Sequence, residues 1–340
     1  MKCDLSFIVY ETTTECNHKC MFCYNIWQRP GVTYKPLNSY KQSYETLKEI
    51  FRQANIENIT FSGGEPMLSE RFNELVLFAK LKKIFVDVIS NGTAVDFHEY
   101  EILTKLKVDQ FQFPLLSADP LIHDKIVQVD GSWQKVVNTI KKMHEIHSNI
   151  IVAIIITKHN VNTVKETIEF IAGLGISDIM LNRYSIGGRG LYFNNSLIPS
   201  QEELNNAYKA ANELSKKLEL SITSNVCTPH CILNPDDFDN IGFVECSSTK
   251  FDKPLTIDIE GNVRICNHSP VIIGNIYKTK LKEILDSYQI SDWYKQVPDY
   301  CNKCDVFNKC QGGCRGASQQ LGYPISKEDP IIEIMEVKRN

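Results

Sequence analysis

The sequence predicts an α/β chain in which a parallel sheet curls into part of a barrel and a smaller cysteine-rich segment follows. Three features point there. Short runs dense in Val, Ile and Phe alternate with amphipathic helical patterns through the first two thirds of the 340 residues. Such apolar runs suit strands that helices cover on both faces. After residue 222 the alternation stops, and cysteine, proline and aspartate punctuate the chain.

Strands are expected at residues 5–10, 58–62, 85–90, 110–115, 150–156 and 179–181. Helical periodicity fills the gaps at 40–53, 69–81, 97–106, 132–147, 161–174 and 200–218. Ser69 with Glu70 and Ser200 with Glu202 read as capped helix starts. A full TIM barrel has eight β–α units. Six are visible here, so residues 1–222 read as a partial, TIM-like (β/α)6 barrel. In parallel barrels the chemistry sits at the C-terminal strand ends. The noteworthy residues do follow strands, at 11–23, 62–66, 91–93 and 182–190. In residues 223–340, short β-like runs at 256–258 and 263–265 flank Glu260-Gly261-Asn262, a turn-rich tripeptide that reads as a hairpin. One helix, near 280–288, precedes a cysteine-rich coil. This second part reads as a small domain that needs metal to order it.

Net charge is −4, and the Lys/Arg clusters are short and scattered, which argues against a nucleic-acid binder. No stretch approaches the roughly 20 apolar residues that span a bilayer. The start, MKCDLSFIVYE, has one Lys, too short an apolar run for a signal peptide and no small-residue cleavage site. A cytoplasmic protein is expected. In that reducing compartment twelve cysteines read as metal ligands or reactive thiols rather than disulfides.

Cys16, Cys20 and Cys23 place three thiols within eight residues just after the first strand. Thiolates at this spacing can wrap one corner of a cubane and ligate three of its irons, leaving the fourth open. A structural zinc site is the alternative on spacing alone. It would prefer two paired knuckles and a closed fourth position, and no second local pair is present.

The Cys-x3-Cys-x2-Cys pattern, with the aromatic Phe22 before its last cysteine, resembles the cluster motif of the radical S-adenosylmethionine (SAM) superfamily. Ser62-Gly63-Gly64-Glu65-Pro66 follows the second strand, where that family carries a glycine-rich segment ending in Glu-Pro. Glycines there let backbone come close to a ligand. The resemblance implies a 4Fe–4S cluster chelated by SAM and the methionine amino group held by residues 63–66. One-electron cleavage then yields a 5′-deoxyadenosyl radical that abstracts a hydrogen, with electrons from a donor such as flavodoxin or ferredoxin. Ser90-Asn91-Gly92-Thr93 is similar to the family's turn after strand three. Asn182-Arg183 with residues 187–190 resembles its segment after strand six, where Arg183 would pair with the SAM carboxylate; a salt bridge is the plainer alternative. Where relatives show Ser-Leu-Asp-Gly after strand four, this chain has Pro114-Leu115-Leu116-Ser117, so the usual ribose contacts lack their residues.

Cys246, Gly261 and Cys266, followed by Cys301-x2-Cys304-x5-Cys310-x3-Cys314, resemble the SPASM domain, an auxiliary-cluster module. The resemblance implies that Cys246, Cys266 and Cys314 hold auxiliary cluster I, and Cys301, Cys304 and Cys310 cluster II. The chain departs from the pattern after Cys314. Relatives end with one more cysteine, whereas here Asp329-Pro330 is followed by isoleucines. Cluster II is then left with a carboxylate such as Glu328 or Asp329, an open iron, a smaller cluster, or none. Cys231 and Cys227 are the candidates for the fourth ligand of cluster I, with Cys231 favoured. Nearby Cys227 reads either as a thiol that returns a hydrogen atom to a product radical or as an ordinary buried cysteine. Cys3 is expected to be structural.

SPASM-containing relatives mainly modify ribosomally made peptides by crosslinking, thioether formation, epimerisation or oxidation. Others act on small molecules such as aminosugars or porphyrin-type side chains. Cys16 lies too near the start for a preceding recognition domain, so a peptide substrate implies a separate recognition protein or a short leader contact. Asn267 stands where sulfatase-maturing relatives carry an aspartate base, which demotes that reaction. His268 is a possible substitute base, or else a solvated loop histidine. A ribosomal peptide is the leading substrate class, and a small-molecule dehydrogenation or epimerisation the second.

Overall fold

The computed structural model describes residues 2–246, 255–287 and 295–337. Strand β1 (Cys3–Glu11) runs into the protein and ends on four consecutive buried residues. A long excursion carries the first three clustered cysteines before α1 (Tyr40–Gln53), which the Ser39 side chain caps by accepting the Gln42 N–H. Alternation then proceeds through β2 (Ala54–Ser62), α2 (Phe72–Lys80), β3 (Phe85–Ile89), α3 (Phe97–Lys105) and β4 (Gln110–Pro114). It continues with α4 (Pro120–Val127), α5 (Ser132–Glu145), β5 (Ile150–Ile156), α6 (Val164–Gly173), β6 (Asp178–Arg183), α7 (Asn194–Leu197) and α8 (Gln201–Leu218).

All six expected strands are present and pair in sequence order, every pair parallel. Two more that the pattern did not reveal, β7 (Ser221–Ser224) and β8 (Ile241–Phe243), extend the series in parallel. At four and three residues they are too short to show a period. The hairpin expected around Gly261 forms between β9 (Leu255–Asp258) and β10 (Asn262–Arg264), and β11 (Ile272–Asn275) adds to it. Its first strand also lies parallel to β1 on the edge away from β2. The sheet order is therefore β11-β10-β9-β1-β2-β3-β4-β5-β6-β7-β8. The edge of β1 that β8 would need for a closed eight-stranded barrel belongs to β9, so the barrel stays open. The boundary expected at 222/223 falls inside β7, and the sheet runs across it.

The helices follow from their apolar faces. Leu47 and Ile50 of α1, Val136, Ile140 and Met143 of α5, and Leu204 and Tyr208 of α8 are buried against strand residues such as Ile59, Val88, Phe113 and Ile154. Each such side chain contributes about 1.5–3 kcal/mol relative to exposure. Ser200 caps α8 through a capping box whose third-position partner is Glu203 rather than Glu202. Ser69 is not a helix cap: Pro66–Leu68 forms a 3-10 turn first, and α2 starts after Arg71 in a left-handed conformation (φ 53°). The added helix α4 starts at Pro120, with Asp119 accepting the Leu121 N–H. The helix expected near 280–288 forms as α9 (Leu281–Leu285); residue 288 lies outside the described residues. Among the described residues no helix is long and apolar enough to cross a membrane.

Candidate active site at the barrel mouth

The cysteine loop leaves β1 and is fixed by α4. Lys19 N–H donates to the Val127 carbonyl (3.3 Å) and Met21 N–H to that of Ile126 (2.9 Å). Phe22, an expected cofactor contact, packs with Cys20 against Leu116, Ile126 and Val127. Within the loop, Cys23 N–H donates to the Cys20 carbonyl (3.2 Å) and His18 N–H to the Cys16 sulfur (3.4 Å).

The glycine-rich segment runs alongside this loop. Gly64 N–H donates to the Thr13 carbonyl (2.8 Å) and Glu65 N–H to that of Glu15 (2.7 Å). Asn25 Nδ2 donates to the Gly63 carbonyl (3.0 Å). A Cβ on Gly63 would lie 2.3 Å from the Thr13 oxygen, and one on Gly64 2.1 Å from that of Glu15. The glycines thus let two backbones touch at the root of the cysteine loop. Glu65 is buried. Its Oε1 accepts from Met67 N–H (3.1 Å) and Ser90 Oγ (2.8 Å), and its Oε2 from Asn91 N–H (2.7 Å). Burial pushes its carboxyl up to about 7 in spite of those three donors.

Asn91 Nδ2 donates to Asn17 Oδ1 (2.7 Å), Asn17 Nδ2 to Thr93 Oγ1 (3.0 Å), and Thr93 Oγ1 meets His18 Nε2 (2.8 Å). The three segments after β1, β2 and β3 therefore form one hydrogen-bonded platform. On its far side Gly190 N–H donates to the Cys23 carbonyl (3.2 Å), and Gly188 packs on the same backbone.

Desolvation pushes the Cys16 thiol up to about 12, that of Cys23 to about 11, and that of Cys20 well above its ordinary value. The charges of neighbouring cysteines push Cys16 and Cys20 further. Thiols this reluctant to ionise become ligands only when a cation neutralises them together. Among the described residues no three His, Cys, Asp or Glu side chains converge on a single ion. Zinc would gather its sulfurs at about 2.3 Å, whereas a cubane gives each thiolate its own iron. The donor set fits the cluster.

Two expected SAM contacts are committed elsewhere. Arg183, at the end of β6, is buried and donates from Nε to Thr228 Oγ1 (3.0 Å), from Nη1 to the Tyr184 carbonyl (3.1 Å), and from Nη2 to the Cys227 carbonyl (2.7 Å) and Asp329. Asp329 takes the pairing foreseen for the SAM carboxylate. Asn182 Oδ1 accepts the N–H groups of Asn225 (2.7 Å) and Val226 (3.2 Å). Both residues anchor the loop after β7.

That loop changes one assignment. Cys231 was expected beside Cys246, Cys266 and Cys314; it lies instead with Cys301, Cys304 and Cys310. Cys314 feels the charge of Cys266, and the adjacent Arg315 those of Cys246 and Cys301. Cys227 lines a small cavity with Thr228, His230, Pro235, Phe243 and Cys310. Cys3 hydrogen-bonds the Gln53 carbonyl at the end of α1 (3.6 Å). None of the twelve cysteines is in a disulfide.

His268 is no solvated loop residue. It is buried, bonds the Ile186 carbonyl through Nε2 (2.8 Å), lies tilted against the Tyr24 ring (centroids 5.2 Å apart), and is lowered by burial to about 4, hence neutral. Asn267 donates to the Tyr24 hydroxyl (2.8 Å). Buried Arg264, at the end of β10, pairs with Glu11 at the end of β1. Sequence reasoning missed Gln320, which joins three segments. Its Nε2 donates to the Tyr24 and His268 carbonyls (both 2.9 Å), and its Oε1 accepts the Gly188 N–H (3.2 Å). A glutamine in a short helix carries no signal for such a role.

Comparison with known proteins adds the chemistry. The model of the Radical SAM superfamily matches residues 10–171, and that of an iron-sulfur cluster-binding domain (SPASM) matches residues 246–305. The chain is similar to the PqqA peptide cyclase of Granulibacter bethesdensis, 21% identical over 339 residues, covering 96% of this chain and 87% of that one. Streptococcus suis SuiB bound to S-adenosylmethionine superposes with a TM-score of 0.74 at 16% identity, over 97% of this chain and 77% of that one. The structure of anSMEcpe with bound AdoMet gives 0.74 at 15% identity, over 99% and 92%. These two likenesses carry the fold, and the family models carry the cofactors. The chain is a radical SAM enzyme, with a 4Fe–4S cluster that binds SAM and a C-terminal SPASM domain for auxiliary iron–sulfur clusters.

Proposed function

We propose that this enzyme modifies a ribosomally made peptide by hydrogen abstraction, leading to a crosslink, an epimerised centre or an oxidised side chain. In this reading Cys16, Cys20 and Cys23 hold the barrel cluster. Gly63, Gly64, Glu65, Pro66 and Asn91 shape the wall on which SAM binds. The cluster and SAM, when bound, supply one-electron cleavage to a 5′-deoxyadenosyl radical. The protein supplies position and a dry enclosure. Glu65 and Asn91 keep the three loops in register, and Phe22 with Leu116 and Ile126 seals the side of Cys20 from water. The strands and helices up to β7 form the radical-generating part, and the cysteine-rich part after it holds auxiliary clusters behind the substrate.

The observation that carries the peptide reading is the sequence similarity to a peptide cyclase over nearly the whole chain, joined by the fold shared with SuiB, also solved bound to its precursor peptide SuiA. A separate recognition protein and a flavodoxin- or ferredoxin-type donor complete the proposal. The test is anaerobic reconstitution with iron, sulfide, reductant, SAM and short peptides encoded beside the gene. Peptide-dependent 5′-deoxyadenosine, with deuterium moving from labelled peptide into it, is the expected result. Deoxyadenosine that forms yet never acquires peptide hydrogen, while an aminosugar supplies it, would replace the peptide by a small molecule.

A further inference from the structure

The loop after β7 delivers Cys231 to three cysteines that the sequence spaces far from it. Asn182 and Arg183 fix its root through the backbone of Asn225, Val226 and Cys227. Pro229 then packs on Gly313, where a Cβ would lie 2.6 Å from the proline ring. His230 N–H donates to the Cys310 sulfur at 3.3 Å, and Gln201 Nε2 holds the Cys231 carbonyl at 3.0 Å. On the other side Cys304 N–H donates to the Cys301 carbonyl (3.1 Å). Cys310 closes the short helix Phe307–Cys310. Gly312, with φ +79°, passes close enough to Cys301 that a Cβ would sit 3.4 Å from its sulfur.

Each of the four sulfurs lies within electrostatic reach of the other three: Cys231 with Cys304 and Cys310, Cys301 with all the rest, and Cys304 with Cys310. The carboxylate nearest the place of a last cysteine is already used. Asp329 Oδ2 accepts from Arg183 and from Cys314 N–H (2.9 Å), and its Oδ1 from Ile331 N–H (3.1 Å). Glu328 lies in the field of Cys301 but pairs with Lys327 at 2.9 Å.

We infer that Cys231, Cys301, Cys304 and Cys310 together ligate auxiliary cluster II, the barrel-side loop supplying the thiolate that relatives take from their C-terminal cysteine. The cluster then has four protein sulfurs, while cluster I keeps Cys246, Cys266 and Cys314. The inference rests on the auxiliary clusters of the family and is independent of the substrate.

The test uses the full chain, reconstituted with enriched iron and read by iron and sulfide content and Mössbauer spectra. Cys231→Ala is expected to lose from one to about four irons per chain, with SAM-cluster iron retained. Cys231→Ser, which preserves size and an oxygen donor, should keep the iron but shift the spectrum of one site. Cys227→Ala and Glu328→Gln should match the parent protein. Wild-type iron and spectra in both Cys231→Ala and Cys231→Ser would overturn the inference. So would iron loss in Glu328→Gln with none in Cys231→Ala, or zinc in place of iron at these sulfurs in the parent protein.

Discussion

Replacing Arg183 by methionine tests whether this side chain holds the C-terminal segment or a ligand. The change removes the donors to Thr228 Oγ1, the Cys227 carbonyl and Asp329, and leaves the Asp329 carboxylate fully buried with two backbone donors. Breaking one side of a buried ion pair costs about 3–5 kcal/mol. At about 1.4 kcal/mol per tenfold, that predicts a loss of roughly 10²- to 4 × 10³-fold in hydrogen-exchange protection around the anchored loop. The amides of Ile232 and Leu233, both bonded to the Pro229 carbonyl (2.9 and 3.1 Å), are the reporters. The double variant Arg183→Met/Asp329→Leu removes the stranded charge and should recover most of the protection. SAM affinity should change little in either. Unchanged protection in the single variant, together with weakened SAM binding, would refute this reasoning and return Arg183 to the SAM carboxylate.

Gly64→Ala forces a methyl into the Glu15 carbonyl and should lower 5′-deoxyadenosine formation by about 10²-fold, as ångström-scale misplacement does; activity within threefold of the parent would count against the platform. Glu65→Gln turns an acceptor into a donor facing a backbone or hydroxyl donor, at a cost of about 1–3 kcal/mol. Denaturant midpoints should fall accordingly. Cys20→Ala should abolish deoxyadenosine while leaving the auxiliary iron in place, as iron counting would show. Ser200→Ala removes one half of the capping box and should cost about 1 kcal/mol without touching SAM cleavage. Stripping iron with a chelator should open residues 295–337 to protease well before the barrel, whose strands rest on a large apolar core.

Strands β1 to β6 were legible because each is an apolar run bounded by turn signals, and β5, buried almost throughout, matched to the residue. What escaped were elements whose order is imposed from outside. Strand β7 exists because β6 offers it an edge and β8 because β7 does, and α4 because Pro120 and Asp119 start a helix too short for a period. At the site, the spacing of Cys16, Cys20 and Cys23 is local and can be read directly. It carries no sign of the neighbours of Arg183 and Cys231, because Asp329 and Cys310 lie 146 and 79 residues away in sequence. Nothing local encodes which of two possible anions an arginine meets.

The hairpin on the free edge of β1 has a consequence for how substrate gets in. Many enzymes with two functional parts open and shut about a linker. Here β9 continues the ladder of β1, and Arg264 at the end of β10 pairs with Glu11 at the end of β1. Swinging one part away would mean unzipping backbone hydrogen bonds in the middle of a sheet. The spacing between the radical-forming loops and the cysteine-rich segment is thereby built in at folding, as the span between two piers is set by the beam. Substrate then enters with the two parts held where the continuous sheet holds them.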